Sequence, residues 1–166
     1  MKKLICLLLS VLFLLALASC GEASPTEDTS FAAYRANGVS VLLDAEASAL
    51  LAALGTPKAT AETNSCYGDG KDKVYEYASF RVETYTVKNV EYILSVTVFD
   101  DSDLASAKTV EGIAIGATRE DVVATYGTPE TEDSFKLVYV NSKIKTKLQF
   151  SLSGGTVTKI EYLKSE

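Results

Sequence analysis

The tripeptide Gly-Thr-Pro occurs twice, at residues 55–57 and 127–129, and each copy closes a short helix signal. Residues 38–57 lie over residues 112–129 with a small gap, and residues 93–99 loosely match residues 157–163 in pattern. Self-similarity of this kind marks duplication of one supersecondary unit, because a single unit cannot bury its own apolar face. The repeat therefore restricts the chain to folds in which a helix-then-strands unit is used twice.

The local chemistry of each copy is consistent with that. In the second, Thr118 is a good N-cap, and Asp121, three residues on, faces the positive end of the helix. Val122, Val123 and Tyr126 form the apolar face, Gly127 ends the helix, and Pro129 blocks its continuation. In the first copy Asp44 is the expected cap, Leu50, Leu51 and Leu54 the apolar stripe, Gly55 the stop and Pro57 the block. Strands are expected at 74–78, 80–87 and 92–99, with Lys88-Asn89 as a turn, and at 136–140, 145–152 and 157–163. Leu148, Phe150 and Leu152 alternate with Lys147, Gln149 and Ser151, the mark of a strand with one wet face. Ser153-Gly154-Gly155-Thr156 is a hairpin signal. Strict alternation places Tyr92, Leu94, Val96 and Val98 against the helix stripe, and Tyr75, Tyr77, Arg81, Glu83 and Tyr85 on the opposite face. The expected fold class is α+β: two tandem modules, 38–103 and 104–166, each a short helix or helical pair packed on an antiparallel sheet of three to four strands.

The stretch Gly112-Ile-Ala-Ile-Gly-Ala-Thr-Arg-Glu-Asp-Val-Val-Ala-Thr-Tyr-Gly-Thr-Pro129 resembles the start of modules in the β-lactamase inhibitor protein family and in small outer-membrane assembly lipoproteins of the SmpA/OmlA type. The resemblance spans about residues 38–164. It implies two modules joined in a continuous concave sheet that grips a partner protein. It carries over only the module signature of Gly112, Gly127, Pro129, Tyr139 and Tyr162, as structural residues. The first unit departs from the pattern at Leu42-Leu43 and carries an extra loop around residues 66–73.

The N-terminus fixes an address. Lys2 and Lys3 precede an apolar run of about 14 residues, shorter than the roughly 20 needed to span a bilayer and matched to a signal-peptide core. It ends in Leu17-Ala18-Ser19-Cys20 followed by Gly21, which resembles the lipobox of bacterial lipoproteins. Residues 1–19 then read as the signal peptide. Cys20 is the lipidation site, and two or three acyl chains there anchor stably to a membrane. Residues 20–37, polar and acidic in their first half, read as a lipid-anchored flexible tether, with Phe31 and Tyr34 near the start of the folded part. The expected location is extracytoplasmic, held at a bacterial cell membrane.

Without Lys2 and Lys3 the basic residues number 14 against 22 acidic, a formal charge of −8. That balance disfavours nucleic acid, where affinity comes from Lys and Arg on phosphates. Cys66 is the one thiol left in the mature chain, so no intramolecular disulfide forms there. It reads as an unreactive thiol in a polar loop, the alternative being an intermolecular partner. The chain has no histidine, the commonest general base and metal ligand. Asp69, Asp72 and the run Asp100-Asp101-Ser102-Asp103 lack calcium-loop spacing and read as turns and linker. Glu120-Asp121 reads as helix-terminal charge rather than an acid/base pair. No catalytic residue, metal ligand or cofactor is assigned. Tyrosine supplies nine aromatic residues and tryptophan none. Tyr75, Tyr77, Arg81 and Tyr85 are the candidate partner-binding residues, since Tyr and Arg are enriched at interfaces.

The expected function is thus a non-enzymatic binding or scaffold lipoprotein that grips an envelope or extracellular protein and, in a narrower version, inhibits an envelope enzyme. The alternative is a cell-envelope hydrolase without a recognisable motif. The anchor is open to a direct test. Cys20→Ala should move the protein from the membrane fraction to the soluble one on cell fractionation. Unchanged membrane retention would exclude the lipid anchor.

Overall fold

The computed structural model describes residues 33–36, 39–78, 80–99 and 108–165. The signal peptide, Cys20, the tether up to residue 32 and the acidic run at 100–103 lie outside the described residues. In chain order the elements are β1 (Ala33–Ala36), β2 (Val39–Leu42), α1 (Ser48–Leu54), β3 (Ala59–Asn64), β4 (Lys71–Glu76), β5 (Phe80–Val87), β6 (Val90–Val98), β7 (Lys108–Thr109), α2 (Arg119–Tyr126), β8 (Thr131–Asp133), β9 (Lys136–Asn141), β10 (Thr146–Ser153) and β11 (Thr156–Lys164). Among the described residues no helix is long and apolar enough to cross a membrane.

Most of the strands form one eight-stranded antiparallel sheet in the order β3-β4-β5-β6-β11-β10-β9-β8, and β2-β1-β7 form a small second sheet. This overturns the expectation of two tandem helix-plus-sheet modules. One sheet runs through both copies of the repeat, and one cluster of buried residues takes members from both, from Leu50, Phe80 and Val96 to Val122, Leu148 and Ile160. The helices are short additions to a β structure.

The join between the halves is narrow. β6 and β11 pair only through Val96–Tyr162, Thr97–Glu161 and Val98–Ile160. Where the strands part, each is capped by the segment that leads into a helix. Asp44 N donates to Ile93 O (2.8 Å), Ile93 N to Ala45 O (2.9 Å) and Ala47 N to Glu91 O (2.9 Å). On the other side Gly116 N donates to Val157 O and Val157 N to Ala117 O, both at 2.8 Å. The backbone groups left free by the short pairing are thereby satisfied, as buried peptide groups must be.

The two helices end alike and begin differently. Gly55 (φ 73°) and Gly127 (φ 78°) stop them in a conformation that favours glycine. Tyr77 OH reaches Gly55 O (3.4 Å) and Tyr139 OH reaches Gly127 O (3.2 Å), tying each helix end to the sheet. α2 has the expected cap: Asp121 N donates to Thr118 Oγ1 (3.1 Å), and Thr118 N donates to Asp121 Oδ2 (3.0 Å). This hydrogen bonding to Thr118 holds the Asp121 carboxyl below its ordinary value. In α1 the N-cap is Ala47 with no side-chain cap bond, and Asp44 lies outside the helix at φ 62°. The Asp44 cap is therefore corrected: three further residues pair with β6 before the helix begins. The Lys88-Asn89 turn is present, with φ values of 50° and 64°, as is the Gly154-Gly155 hairpin.

Leu148 is fully buried in the shared core, whereas Phe135 at a hairpin tip is 75% exposed. Leu148→Ala should lower the stability of the whole sheet by about 2–5 kcal/mol, and Phe135→Ala should change it by less than about 0.5 kcal/mol. Urea denaturation followed by circular dichroism reads both. Two separate transitions in the parent protein would contradict the shared core.

Candidate functional site

The sheet has two unlike faces. Phe80, Val82, Val96, Val98, Ile160, Tyr162, Phe150, Leu148, Leu137 and Tyr139 occupy cross-strand positions on the helix side and are buried. The other face carries Glu76, Arg81, Glu83, Thr97, Glu161, Gln149 and Lys147. Much of its charge is paired locally: Arg81 with Glu76 (2.9 Å), Lys159 with Glu161 (2.9 Å), Gln149 Nε2 to Glu161 (2.8 Å) and Ser95 Oγ to Glu83 (2.9 Å).

The four candidate binding residues are split between these faces. Arg81 and Tyr85 lie on the open face. Tyr75 is opposite Val82 on the helix side and packs against the core. Tyr77 stacks on Phe80 with centroids 4.4 Å apart. Strict alternation across residues 75–85 fails because Tyr77, Ala78 and Ser79 lie between β4 and β5 and reset the parity. A register shift in the β5–β6 pair likewise puts Tyr92 opposite Tyr85, on the open face, while Ile93 joins the core beside Val96 and Val98. Tyr92 and Leu94 therefore do not share the helix-facing row with Val96 and Val98. Such a bulge leaves little trace in the order of residue types.

On the helix side Tyr75 belongs to a polar cluster with Lys73, Thr84 and Glu91. Lys73 Nζ is 3.2 Å from Glu91 Oε2, and Thr84 Oγ1 donates to Glu91 Oε1 at 2.5 Å. Burial works against ionisation of Glu91, but hydrogen bonds from Thr84, Tyr75 and Lys73 outweigh it and hold the carboxyl below its ordinary value. The hydrogen bond to Glu91 raises Lys73 against the opposing effect of burial. Both groups stay charged and mutually satisfied near neutrality, which suits a structural anchor.

The open face gathers a different set near the point where β6 and β11 part. Tyr85 and Tyr92 stack at 5.6 Å, and Tyr67 leans over Tyr85 at 6.3 Å. Lys164 Nζ sits 5.0 Å from the Tyr85 ring centroid and 5.6 Å from that of Tyr67. Asp44 Oδ1 accepts from both Lys164 Nζ and Tyr85 OH at 2.8 Å. A groove of about 290 Å³ adjoins this group, lined by Tyr67, Glu83, Leu94, Ser95, Lys147, Leu163 and Lys164.

The loop that carries Tyr67 is built to hold it there. Tyr67 N and Gly68 N donate to Ser65 Oγ (3.0 and 2.7 Å), Asp69 N donates to Thr86 O (3.1 Å), and Asp69 Oδ1 accepts from Lys88 N (2.9 Å). A Cβ on Gly68 would sit 2.0 Å from Thr86 O, so only glycine permits this approach. Asp72 Oδ2 accepts from Cys66 N, and the free Cys66 is exposed. Asp69 and Asp72 thus serve loop geometry, and the described residues contain no group of three or more His, Cys, Asp or Glu placed to hold a metal. Sequence reasoning does not reach Tyr67 or Lys164, and it reads Asp44 as a helix cap and Tyr92 as a helix-facing residue rather than as members of this group. The extra loop and its two glycines were the available signal for Tyr67, and nothing local pointed to Lys164.

For acyl or group transfer the groove offers Ser95 beside Glu83. Its hydroxyl donates to that carboxylate at 2.9 Å, but Ser95 is only 4% exposed, and this burial keeps its oxygen from a substrate.

No family model matches this sequence, and no curated protein matches it. Among solved structures, the crystal structure of a DUF4309 family protein (YjgB) from Bacillus subtilis subsp. subtilis str. 168 is similar, at 15% identity over 84% of this chain and 92% of that chain, with a TM-score of 0.45. A likeness at that level assigns no function. None of these comparisons supports the specific resemblance to β-lactamase inhibitor proteins or SmpA/OmlA lipoproteins.

Burial first, and then the hydrogen bond to Asp44, pushes Tyr85 up to about 12. Burial and then the hydrogen bond to Glu91 do the same for Tyr75. A pKa raised on folding stabilises the folded state fully below the unfolded value of about 10 and ceases to do so as pH rises through the folded value. Stability should therefore fall between about pH 10 and pH 12. In an alkaline absorbance titration, Tyr85→Phe should remove one late tyrosinate step. Ionisation of every tyrosine in a single step near pH 10 would contradict these environments.

Proposed function

We propose that this protein is a non-enzymatic binding module, held outside a bacterial membrane by lipid on Cys20, that captures a partner protein on the open face of its sheet. The carrying observation is the contrast between the faces. Both helices lie on one side, and the other bears a groove lined by Tyr67, Leu94 and Leu163, beside which Tyr67, Tyr85 and Tyr92 pack together. Aromatic residues that combine a rigid apolar body with a polar tip are suited to such contacts. The acidic excess of the mature chain, 14 basic residues against 22 acidic or −8 in formal charge, favours a partner with a basic segment.

The absence of histidine and the covered Ser95 weigh against the hydrolase alternative. If the partner is an envelope enzyme, seating on this face gives a route to its inhibition.

The test places a photo-cross-linking residue at position 81 or 140 on the open face, and at position 123 on α2 as a control, in living cells. One partner should cross-link from 81 and 140 through a peptide rich in Lys and Arg, and none from 123. Adducts formed equally from both faces, or from neither, would overturn the proposal. The yield should also fall as salt is raised, because exposed charges are screened within about 10 Å at 0.1 M.

A further inference from the structure

We propose that Tyr67, Tyr85, Tyr92 and Asp44 form a receptor for the ammonium group of a lysine side chain, occupied in the free protein by the chain's own Lys164. The inference deepens the binding-module reading and rests on it for the identity of the ligand, a lysine in the partner's basic segment.

The chemistry is already displayed by Lys164. Its ammonium lies over the rings of Tyr85 and Tyr67 and donates to Asp44. The faces of aromatic rings are negative and attract a cation within about 6 Å of the centroid. The arrangement is thus a partial aromatic cage with an anionic acceptor at its base. Tyr92 backs Tyr85, and the Tyr85 hydroxyl shares Asp44 with the ammonium, which fixes the carboxylate in place. Gly68 is there because the loop must close on Thr86 to bring Tyr67 over the cage.

Two features make the occupant displaceable. The Asp44 side chain is 50% exposed and that of Lys164 26%, so solvent screens their ion pair and weakens it. The adjoining groove of about 290 Å³ has both Tyr67 and Lys164 in its lining, which leaves open space beside the occupant for an incoming side chain. Lys164 then has to move aside, and the receptor's apparent affinity is reduced by the fraction of time that Lys164 holds the site.

Asp44 also selects the kind of cation. A primary ammonium can stay over the rings and donate to the carboxylate, as Lys164 does. A quaternary ammonium has no N–H and forfeits that bond. The geometry therefore points to lysine rather than to a choline-type headgroup.

The full-length protein, purified in a non-ionic detergent, is titrated with Nα-acetyl-lysine methylamide and, separately, with tetramethylammonium, and the probe's proton NMR signals are followed. In Lys164→Ala the ε-methylene signal of the lysine probe should move upfield by ring current, with an affinity at least about tenfold above the parent's. Tetramethylammonium should bind about tenfold or more weakly than the lysine probe. Adding Tyr67→Ala, a change in an exposed loop that leaves the core intact, should abolish the shift. Asp44→Asn, which keeps a residue tolerant of positive φ, should erase the preference for the primary ammonium.

No shift with either probe in Lys164→Ala would overturn the receptor. Tetramethylammonium binding as tightly as the lysine probe would overturn the lysine assignment in favour of a quaternary headgroup. The two proposals fail separately. A partner cross-linked only from the open face, with no probe binding, leaves the binding module and removes the receptor. Probe binding with no face-specific cross-link does the reverse.

Discussion

Three residue pairs hold the protein together across its middle. Val96, Thr97 and Val98 of β6 meet Tyr162, Glu161 and Ile160 of β11, and beyond them the strands separate. A longer pairing would leave no room for the segments that enter the helices. A shorter one would not keep a single sheet. The backbone of residues 44–47 takes up the groups that β6 leaves free, and residues 116–117 do so for β11. Asp44 is placed on the open face by this arrangement, and its left-handed backbone follows from the turn the chain makes to reach β6. The core on one side and the tyrosine cluster on the other both depend on where the two strands part.

The cluster shows how a β scaffold builds a polar site from distant pieces. Tyr85 and Tyr92 come from paired strands, Tyr67 from a pinned loop, Asp44 from the approach to α1, and Lys164 from the final described strand. No two of these elements could hold the arrangement alone. Tyr85 is held between ring stacking and a carboxylate, and its burial there, followed by its hydrogen bond to Asp44, raises its pKa. On the helix side, Tyr77 and Tyr139 perform a different task with the same chemistry, donating to the carbonyls of the glycines that cap the two helices. A tyrosine in this protein is a joint as often as it is a contact surface.

What could be read from the sequence was what local chemistry controls. The Thr118–Asp121 cap, the glycine stops at 55 and 127, the Lys88-Asn89 turn and the alternation of β10 are encoded within a few residues and appear in the structure. Whether the repeats form one sheet or two depends on β6 meeting β11 across more than sixty residues, and no local pattern carries that. The two-residue-period argument assigned Tyr75 and Tyr77 to the wrong face because it carried a single alternation across the break between two strands, and β4 ends at Glu76 before β5 starts at Phe80. β3, exposed along its whole length, has no apolar alternation to reveal it. The partnership of Asp44 with Lys164 spans most of the folded chain and had no sequence signal.

The place of β11 has a consequence for how the chain matures. It is the last of the described strands in sequence and a central one in the sheet, with β6 on one flank and β10 on the other. The other neighbouring strands of this sheet are consecutive in sequence and can form as hairpins while the chain is still emerging. The β6 side of the first half stays unsealed until residues 156–164 arrive. Non-local pairing of this kind closes slowly, and open strand edges invite wrong partners in the interval. Loss of only a few residues from that strand would remove the middle of the fold rather than trim its edge.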